Sequence, residues 1–572
     1  MKKLVFVLLL SGIAFGSYNL INKKVNENEK SFKIFISKSV EKEIEKKFNK
    51  KLFDEFFDKY EIFSDYKMEN LKNFDLVFSS KKQEDSEIFL NEQYVLVTYY
   101  TNIVKNISND DFSKFILSEK VLKNIKNEKT NIVFKSSSEL VEIFNDQNFD
   151  IPEFLKFDDA INEIVQNKNS SIATIIPLSK LRPELKVITI ENVSPFGFYN
   201  ENKKLYEKYD NIEKTKWKDW TNENYKLANS VWISGKKKLE FLNFLNKKKI
   251  EREVFYSNQV IEIDMTGVTA MGRVTFNKIK QNGTDFVSKD FKEVLQNADV
   301  AHTSNEVSFK NDCKQPLSTM SFCSDPSFIK ILLDLGIDVV ELTGNHNNDY
   351  GSDFSAYSIK LYEENFIKYF GGGKNLEDAK NPAFIDVLEK RNSCPIESIC
   401  NKIFDKNFLV SFIGFNTPGP NYALATETES GANPYSNESA LNSLEKAKSA
   451  SEIIIAGIQW QNENYTNPST EQIENSELLL KNGADLVVGS QGHGFQGIRF
   501  VDGKPVFYAL GNFIFDQMFD EYVKSGFVLR TFFIDGELKT FELIPYKLYD
   551  FASPRFVDTE TEYRMLEQIY EI

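Results

Sequence analysis

Histidine, cysteine and tryptophan are scarce in this chain of 572 residues, which contains three, four and four of them. Basic charge is also in deficit, since 84 acidic residues outnumber 70 basic ones and leave a formal net charge of −14. Such a chain lacks the basic surface that phosphate backbones need, so nucleic acid is excluded as a predicted partner. Apolar residues make up 41% of the sequence, enough for folded cores, and the length favours two to four domains.

Long apolar runs are also missing, apart from the first residues. MKKLVFVLLLSGIAFGSYNL begins with two lysines, continues with a short apolar stretch and ends in small residues. This pattern is typical of a secretory signal peptide, because a bilayer span needs about 20 apolar residues. We expect residues 1–17 to be a signal peptide, with an uncleaved N-terminal anchor as the alternative. The chain is thus predicted to be exported, to the periplasm or extracellular face, and to meet a membrane only through this segment.

The four cysteines form two local pairs in polar loops, Cys313 with Cys323 and Cys394 with Cys400. An even number of cysteines in an exported chain favours two local disulfides. The alternative is a zinc site made of four thiolates. Neither pair has the spacing of about two to four residues that is usual in such sites, so we expect disulfides.

Two α/β segments are separated by a polar stretch. Between about residues 30 and 200, apolar strand-like runs such as FDLVFSS and SIATIIPL alternate with polar helical patterns, which is typical of an α/β domain. Residues 201–254 are rich in Lys, Asn and Trp and are predicted to form a helical linker. We therefore predict one α/β domain at residues 18–200 and a second at 255–572.

Two segments of the second domain share one plan: a capped helix, a glycine, a strand, and a polar loop with a histidine. In DPSFIKILLDLGIDVVELTGNH the loop carries His346, and in PSTEQIENSELLLKNGADLVVGSQGH it carries His493. Ligands of open α/β sheets bind at the carboxyl ends of the strands, and other strands here also end in polar loops. We therefore expect one rim to gather, with these two histidines, His302, Asn305, Glu306, Asn345, Asp349, Gln459, Glu463, Gln491, Asn512 and Asp516.

Each loop by itself also has a plainer interpretation. Turns need Asn, Gly and Asp for their own geometry, so ELTGNHNNDYG is equally a simple turn, and His302 is equally a structural residue. Agreement among several strand-end loops favours a site. A cluster of His, Asn, Asp and Glu suits a divalent metal that activates a bound water. Alternatively His346 acts as a general acid without metal, since its reference pKa is about 6.5.

Three longer stretches resemble the CapA family of capsule or poly-γ-glutamate synthesis proteins over about residues 255–550. They are DVVELTGNHNNDYG, IIIAGIQWQNENYTNPSTEQ and LLLKNGADLVVGSQGHGFQGIRFVDGKPVFYALGNFIFDQ. The resemblance implies a four-layer α/β fold similar to calcineurin-like metallophosphoesterases. We expect catalytic roles for His346, His493, Glu463 and Asp349, binding roles for Asn305, Glu306, Gln459, Gln491, Asn512 and Asp516, and a metal position at Asn345, His493 and Glu306.

Three positions depart from the family pattern. Val268 stands where the family has the Asp of Gly-Asp, Gln459 where it has the His of His-Trp-Gly, and Gln491 where it has the first His of Gly-x-His-Pro-His. Asp264 replaces the missing carboxylate only if the backbone bends toward the rim. A full two-metal centre is therefore not expected, and the residue set is more consistent with one divalent metal of unknown identity or with none.

The N-terminal half resembles the periplasmic-binding-protein-type domains that precede some CapA-like domains, through NFDLVFSS, YVLVTYY and SSIATIIPLSKLRPELKVITIENVSP. This resemblance implies binding of a small solute or an envelope polymer. We prefer the hypothesis of an exported envelope enzyme that acts on an anionic polymer or its precursor. The alternatives are a non-catalytic polymer-binding or assembly module, and a solute sensor or carrier in which the N-terminal domain is the functional part.

Overall fold

The computed structural model describes residues 260–571, except 315–319, 389–407 and 461–465, and several shorter segments before residue 260. These segments are 32–36, 60–63, 76–79, 87–102, 106–107, 133–134, 156–168, 172–190 and 228–234, with a few further single residues. The predicted signal peptide, most of the predicted linker, Glu463, Cys394 and Cys400 lie outside the described residues. Within the described part, no helix is long and apolar enough to cross a membrane.

The chain divides into two compact units. The first comprises Met1–Asn91 and Ser230–Val254, and the second comprises Glu92–Asn229 and Phe255–Ile572. In the first unit, strand Phe32–Ile36 lies between Tyr60–Phe63 and Leu76–Ser79 and is parallel to both, and the end of strand Ala228–Ser234 pairs antiparallel with Leu76–Ser79. The boundaries predicted at residues 200 and 254 stay predictions.

The second unit begins with a small α/β layer. Residues 94–99 of strand Glu87–Tyr99 pair antiparallel with Ile172–Pro177 and Leu185–Val187, and helix Phe157–Gln166 packs Ile161 and Ile164 into the same core. Short parallel pairs join Val133–Phe134 to Ile172–Pro177, and Asn106–Ile107 to Thr189–Ile190. A single turn of 3₁₀ helix covers Leu178–Lys180.

The remainder of the second unit contains the predicted site. Its main strands are β1 Val260–Thr269, β2 Val300–Asn305, β3 Val339–Glu341, β4 Lys368–Phe370, β5 Ala383–Asp386, β6 Leu409–Asn416, β7 Ile453–Gln459, β8 Leu486–Ser490, β9 Ile498–Val501, β10 Lys504–Phe507, β11 Asn512–Ile514, β12 Ser525–Ile534, β13 Glu537–Tyr549 and β14 Ser553–Phe556. The longer helices are α1 Arg273–Asn282, α2 Ser352–Glu364, α3 Asn437–Lys448, α4 Thr470–Lys481 and α5 Thr559–Glu571. Shorter helical turns cover Asp285–Ser288, Lys292–Asn297, Pro326–Phe328, Ile329–Asp334, Leu376–Ala379 and Asn421–Ala423, and the strand pair Gly372–Gly373 and Gly431–Ala432 completes the described elements.

These strands form two sheets. The first has the order β4-β3-β2-β1-β12-β13-β14, with β11 also pairing with β1, and the second has the order β5-β6-β7-β8-β10-β9. Strands β1 to β4 and β11 run parallel, as do β6, β7, β8 and β10, so their carboxyl ends lie on one edge of each sheet.

Three apolar clusters define the layers. One cluster joins inward side chains of both sheets, such as Ile263 and Phe412, so the sheets pack face to face. A second joins the outer face of the first sheet to α1, α2 and the short helices, and a third joins the outer face of the second sheet to α3 and α4. The predicted four-layer α/β arrangement is therefore confirmed for this part of the chain.

Both predicted helix–glycine–strand–loop segments are present. Asp325 accepts a hydrogen bond from the backbone of Ser327 (2.9 Å) and starts the first segment, and Gly336 ends its helix with a φ of +71°. Ser469 and Gln472 form the predicted capping box at the start of α4. Local capping chemistry therefore fixes where each helix begins and ends, and thus where each following strand starts.

The predicted disulfide between Cys313 and Cys323 is confirmed, with its two Cα atoms 5.9 Å apart. A zinc site made of all four cysteines is excluded, because these two sulfurs are bonded to each other and are not thiolates. The second predicted pair lies outside the described residues.

Candidate functional site

Polar side chains that follow strands of both sheets meet at one place. Nε2 of Gln459, the last residue of β7, donates hydrogen bonds to Oε2 of Glu306 after β2 (3.2 Å) and to Oδ1 of Asn345 after β3 (3.3 Å). The approach of these loops depends on Gly344, because a Cβ atom there would lie 2.4 Å from the Cα of Glu306. The predicted convergence of strand ends therefore brings Glu306, Asn345 and Gln459 together.

His346 is held by a carboxylate on the same loop. Its Nδ1 lies 2.7 Å from Oδ2 of Asp349, which also accepts a hydrogen bond from the backbone of Phe322 (2.8 Å), while the Tyr422 hydroxyl donates to Oδ1 (3.3 Å). Burial by itself would lower the pKa of His346, but the hydrogen bond to Asp349 and the charge of Glu306 outweigh it and raise that pKa above its usual value. His346 is therefore half-buried, and its surroundings favour the protonated imidazole.

His493 is fixed in a different way. Its Nδ1 lies 2.9 Å from Oδ1 of Asn512, and Nδ2 of Asn512 donates to the carbonyl of Val523 (3.4 Å). Because that carbonyl requires a donor, the oxygen of the Asn512 amide must face the imidazole, so Nδ1 of His493 carries the proton. The hydrogen bond to Asn512 therefore leaves Nε2 as the nitrogen available to other partners.

Two phenylalanines and an arginine connect the histidines. The ring of Phe322 lies 4.2 Å from that of His346, and Phe515 stacks on His493 at 5.2 Å with an interplanar angle of 9°. The guanidinium of Arg273 lies over both phenylalanines, 4.4 Å and 5.5 Å from their centroids. His346 and His493 therefore flank one aromatic pair, whose Phe322 is adjacent in sequence to the disulfide-bonded Cys323.

Asp516, a predicted binding residue, is already engaged. It forms an ion pair with Arg273 (Nε to Oδ2, 3.0 Å) and accepts a hydrogen bond from the backbone of Val274 at the start of α1 (3.1 Å). Its charge is thus neutralised within the protein, and its contribution to the site is to hold Arg273 over the aromatic pair.

A buried carboxylate lies beneath both histidine loops. Oε1 of Glu341 accepts hydrogen bonds from the hydroxyls of Thr343 and Ser490 (the latter 2.8 Å), one on each loop. His302, the third histidine, lies 3.5 Å from Oε2 of Glu341, is 1% exposed, and packs between Phe370 and Phe412. His302 is therefore a buried residue packed between aromatic rings, and its burial does not support the expectation that it reaches the rim.

Two further expectations are corrected by the packing. The side-chain nitrogen of Asn305 donates to the hydroxyl of Tyr362 on α2 (2.5 Å), so this amide faces the helical layer. Asp264 forms a bidentate ion pair with Arg530 (2.8 and 3.0 Å) on the neighbouring strand and does not replace the carboxylate lost at Val268. Gln491 is buried with a φ of +76°, as a turn residue after β8.

The sequence argument did not identify several residues that shape this site: Arg273, Phe322, Glu341, Asn416 and Phe515. Asn416 is the last residue of β6, so the strand-end rule applied to β6 would have found it. The two phenylalanines and Arg273 gave no such signal, because aromatic and basic residues are common throughout the chain.

The resemblance to metallophosphoesterases implies a metal centre, but the predicted ligand side chains are poorly arranged to bind a metal ion. Two of the three predicted metal ligands, Glu306 and Asn345, face the N–H₂ group of Gln459, which donates where a cation would be coordinated. The third, His493, is hydrogen-bonded through Nδ1 to Asn512. Among the described residues, no group of three His, Cys, Asp or Glu side chains is placed to hold a metal ion.

The pair of His346 and Asp349 predicts a specific pH dependence of stability. Because folding raises the pKa of His346, the pair stabilises the fold fully below the unfolded value of about 6.5, and this contribution is lost as pH rises through the raised pKa. Asp349→Asn should therefore lower the melting temperature most near pH 6 and progressively less toward pH 9, measured by thermal unfolding at each pH. Exposed Asp353→Asn is the control, and a loss independent of pH for Asp349→Asn would contradict the assignment.

Comparison with known proteins agrees with the motifs. The family model described as "Bacterial capsule synthesis protein PGA_cap" matches residues 262–517. The capsule biosynthesis protein CapA of Bacillus anthracis is 24% identical over 321 residues, which cover 54% of this chain and 73% of that protein. The PGA biosynthesis protein CapA of Bacillus subtilis (strain 168) is 24% identical over 301 residues, covering 52% and 74%.

Two solved structures are also similar in part. The calcineurin-like phosphoesterase YfkN from Bacillus subtilis aligns with a TM-score of 0.34 and 16% identity over 54% of this chain and 98% of that one. An ABC-type phosphate transport receptor from Vibrio cholerae aligns with a TM-score of 0.26 and 13% identity over 38% and 96%. The α/β layers are established by the sheets and apolar clusters of this domain. Through residues 262–517 this chain is similar to the CapA family of bacterial capsule synthesis proteins.

Proposed function

We propose that this chain takes part in the synthesis or processing of an anionic capsule polymer of the poly-γ-glutamate type, and that the pocket at His346 and His493 acts on the polymer or its precursor without a metal ion. One observation carries the proposal. Each imidazole is anchored through Nδ1, His346 by Asp349 and His493 by Asn512, so Nε2 is the nitrogen through which each exchanges protons.

The two histidines have complementary proton-transfer roles. Two carboxylates raise the pKa of His346, which suits it to act as the proton donor to a leaving group. His493, in the tautomer fixed by Asn512, accepts a proton at Nε2 from the attacking group. The aromatic pair of Phe322 and Phe515 excludes water from one side of both rings, which strengthens these interactions.

A second function, a binding or assembly module without turnover, has its own supporting observation. Several polar groups of the pocket are already engaged within the protein, because Arg273 neutralises Asp516 and Gln459 donates to Glu306 and Asn345. A pocket of this kind binds a polymer segment through hydrogen bonds and remains unchanged.

The cell envelope is the proposed location. The disulfide between Cys313 and Cys323 supports an oxidising compartment, in agreement with the predicted signal peptide. A small solute or polymer segment bound by the domain before residue 200 belongs to the same proposal and rests on the sequence resemblance alone.

The test is an assay of the full chain with poly-γ-glutamate in the presence of a chelator. The polymer's length distribution is followed by size-exclusion chromatography, and retention of the polymer by the protein is measured in parallel. Shortening or transfer that persists with the chelator supports the metal-free enzyme, and retention without any change in length supports the binding module. Turnover that the chelator abolishes, or neither turnover nor retention, contradicts the proposal.

A further inference from the structure

The orientation of the Gln459 amide is fixed by a chain of hydrogen bonds anchored on the backbone. The backbone N–H of Gly419 donates to Oδ1 of Asn416 (2.8 Å), and Nδ2 of Asn416 donates to the carbonyl of Thr343 (2.7 Å). These backbone groups allow only one placement of the nitrogen and oxygen of Asn416. The same Nδ2 donates to Oε1 of Gln459 (2.8 Å), so the N–H₂ group of Gln459 must point the other way.

That N–H₂ group points at two oxygens of the kind that coordinate cations. Nε2 lies 3.2 Å from the carboxylate of Glu306 and 3.3 Å from the amide oxygen of Asn345. Glu306 and Gln459 are each 1% exposed, so water does not compete for these contacts. A buried carboxylate needs hydrogen bonds or a counter-charge, and the amide of Gln459 supplies hydrogen bonds.

We propose that Gln459, oriented by Asn416, takes the place of a cation between Glu306 and Asn345, so that the pocket is selective against divalent metals and accepts ligands by hydrogen bonding. This inference rests on the proposed function and specifies its chemistry. A cation at this position would have to displace an N–H₂ donor whose other end Asn416 holds, and the amide cannot turn its oxygen inward without breaking that contact. Gln459 is thus a specificity residue and Asn416 its positioning residue.

The test replaces the donor by an acceptor of the same shape. Gln459→Glu keeps an oxygen for the Asn416 hydrogen bond and presents a second oxygen to Glu306 and Asn345, which gives three oxygen ligands of the kind that bind hard divalent cations. We expect the full-length variant to bind Mn²⁺ at least about tenfold more tightly than the wild type does, and Mn²⁺ to raise its melting temperature. The wild type should show no such shift, by calorimetric titration and thermal unfolding.

Gln472→Glu is the matched control, because Gln472 is equally buried but lies at the start of α4, where its side chain accepts from the backbone of Ser469 and donates to Gln496. It should gain no Mn²⁺ response. If Gln459→Glu does not fold, Gln459→His decides the same question, since it also removes the N–H₂ donor and supplies an imidazole ligand.

Two results would overturn the inference. The first is stoichiometric Mn²⁺ binding by the wild type that Glu306→Gln abolishes, which would show that the pocket is a metal site as it stands. The second is a folded Gln459→Glu or Gln459→His variant without tighter Mn²⁺ binding. The Mn²⁺ measurements do not involve polymer, so they can be interpreted even if the polymer assay shows no activity. Likewise, a negative Mn²⁺ result does not change the interpretation of the polymer assay.

Discussion

Replacement of Arg530 by methionine is expected to lower the free energy of unfolding by about 3–5 kcal/mol, the usual cost of stranding one member of a buried ion pair. Arg530 on β12 forms two hydrogen bonds to Asp264 on β1 (2.8 and 3.0 Å), and a third contact to Glu262 (2.9 Å). Asp264 is fully buried, and Arg530 is 7% exposed. Burial alone would lower the pKa of Arg530, but the two carboxylates reverse that effect and keep the guanidinium charged.

The double variant Arg530→Met, Asp264→Leu separates the stranded charge from the lost contact. The double variant removes both buried charges, and Glu262 is only half-buried and can be solvated. Most of the free energy of unfolding lost in Arg530→Met should therefore be recovered. A chain with more than one compact unit need not unfold in a single global transition, so the change in stability is measured locally. Amide hydrogen exchange of peptides from β1 and β12 reports it within this domain. A double variant no more stable than Arg530→Met would show that the loss has another cause.

Replacement of His346 by alanine is expected to reduce turnover of the polymer by about a hundredfold or more, within the range that a general acid contributes. The reason is geometric as well as electrostatic. Asp349 holds the ring through Nδ1, Glu306 raises its pKa further, and Phe322 packs on its face, so both the orientation of the ring and its affinity for a proton are set by this arrangement. Asp349→Asn should retain more activity than His346→Ala, because it leaves the imidazole in place. It should also shift the pH dependence of the rate, because it removes the counter-charge of the imidazole.

Asp353→Asn serves as the control for both variants, since Asp353 is exposed in the first turn of α2, a few residues from the loop. It should preserve the rate. If His346→Ala turns over polymer at the rate of the wild type, the catalytic role assigned to His346 is wrong. Retention of polymer by an inactive His346→Ala protein would show that binding and proton transfer are carried by different residues.

Several parts of the site could be read from the chain because they depend on local chemistry. The capping residues Asp325 and Ser469 and the glycine Gly336 fix where helices begin and end, so the strands after them could be placed within one or two residues. The rule that parallel strands end on one edge then predicted that the loops of Glu306 and His346 lie together. The family motifs pointed to the same loops.

Other parts could not be predicted, because each depends on a partner far away in sequence. Asp264 seemed a spare ligand from its position near Gly267, but its partner Arg530 lies 266 residues later and claims both of its oxygens. Asn305 was expected at the rim, yet the hydroxyl of Tyr362, 57 residues on, binds its amide on the opposite face. A strand residue faces one side or the other according to register and bulges, and β1 has such an irregularity between Met265 and Val268.

The sequence by itself showed the resemblance to the CapA family, which implied the four-layer α/β class, and it indicated the pairing of Cys313 with Cys323 and the two loops that carry His346 and His493. It determined them because capping, strand periodicity and motif spacing are properties of neighbouring residues. Only the tertiary structure decided what the loops can do together. The donor direction of Gln459 depends on Asn416, a residue of another strand, and that direction decides whether Glu306 faces a hydrogen-bond donor or a metal ion.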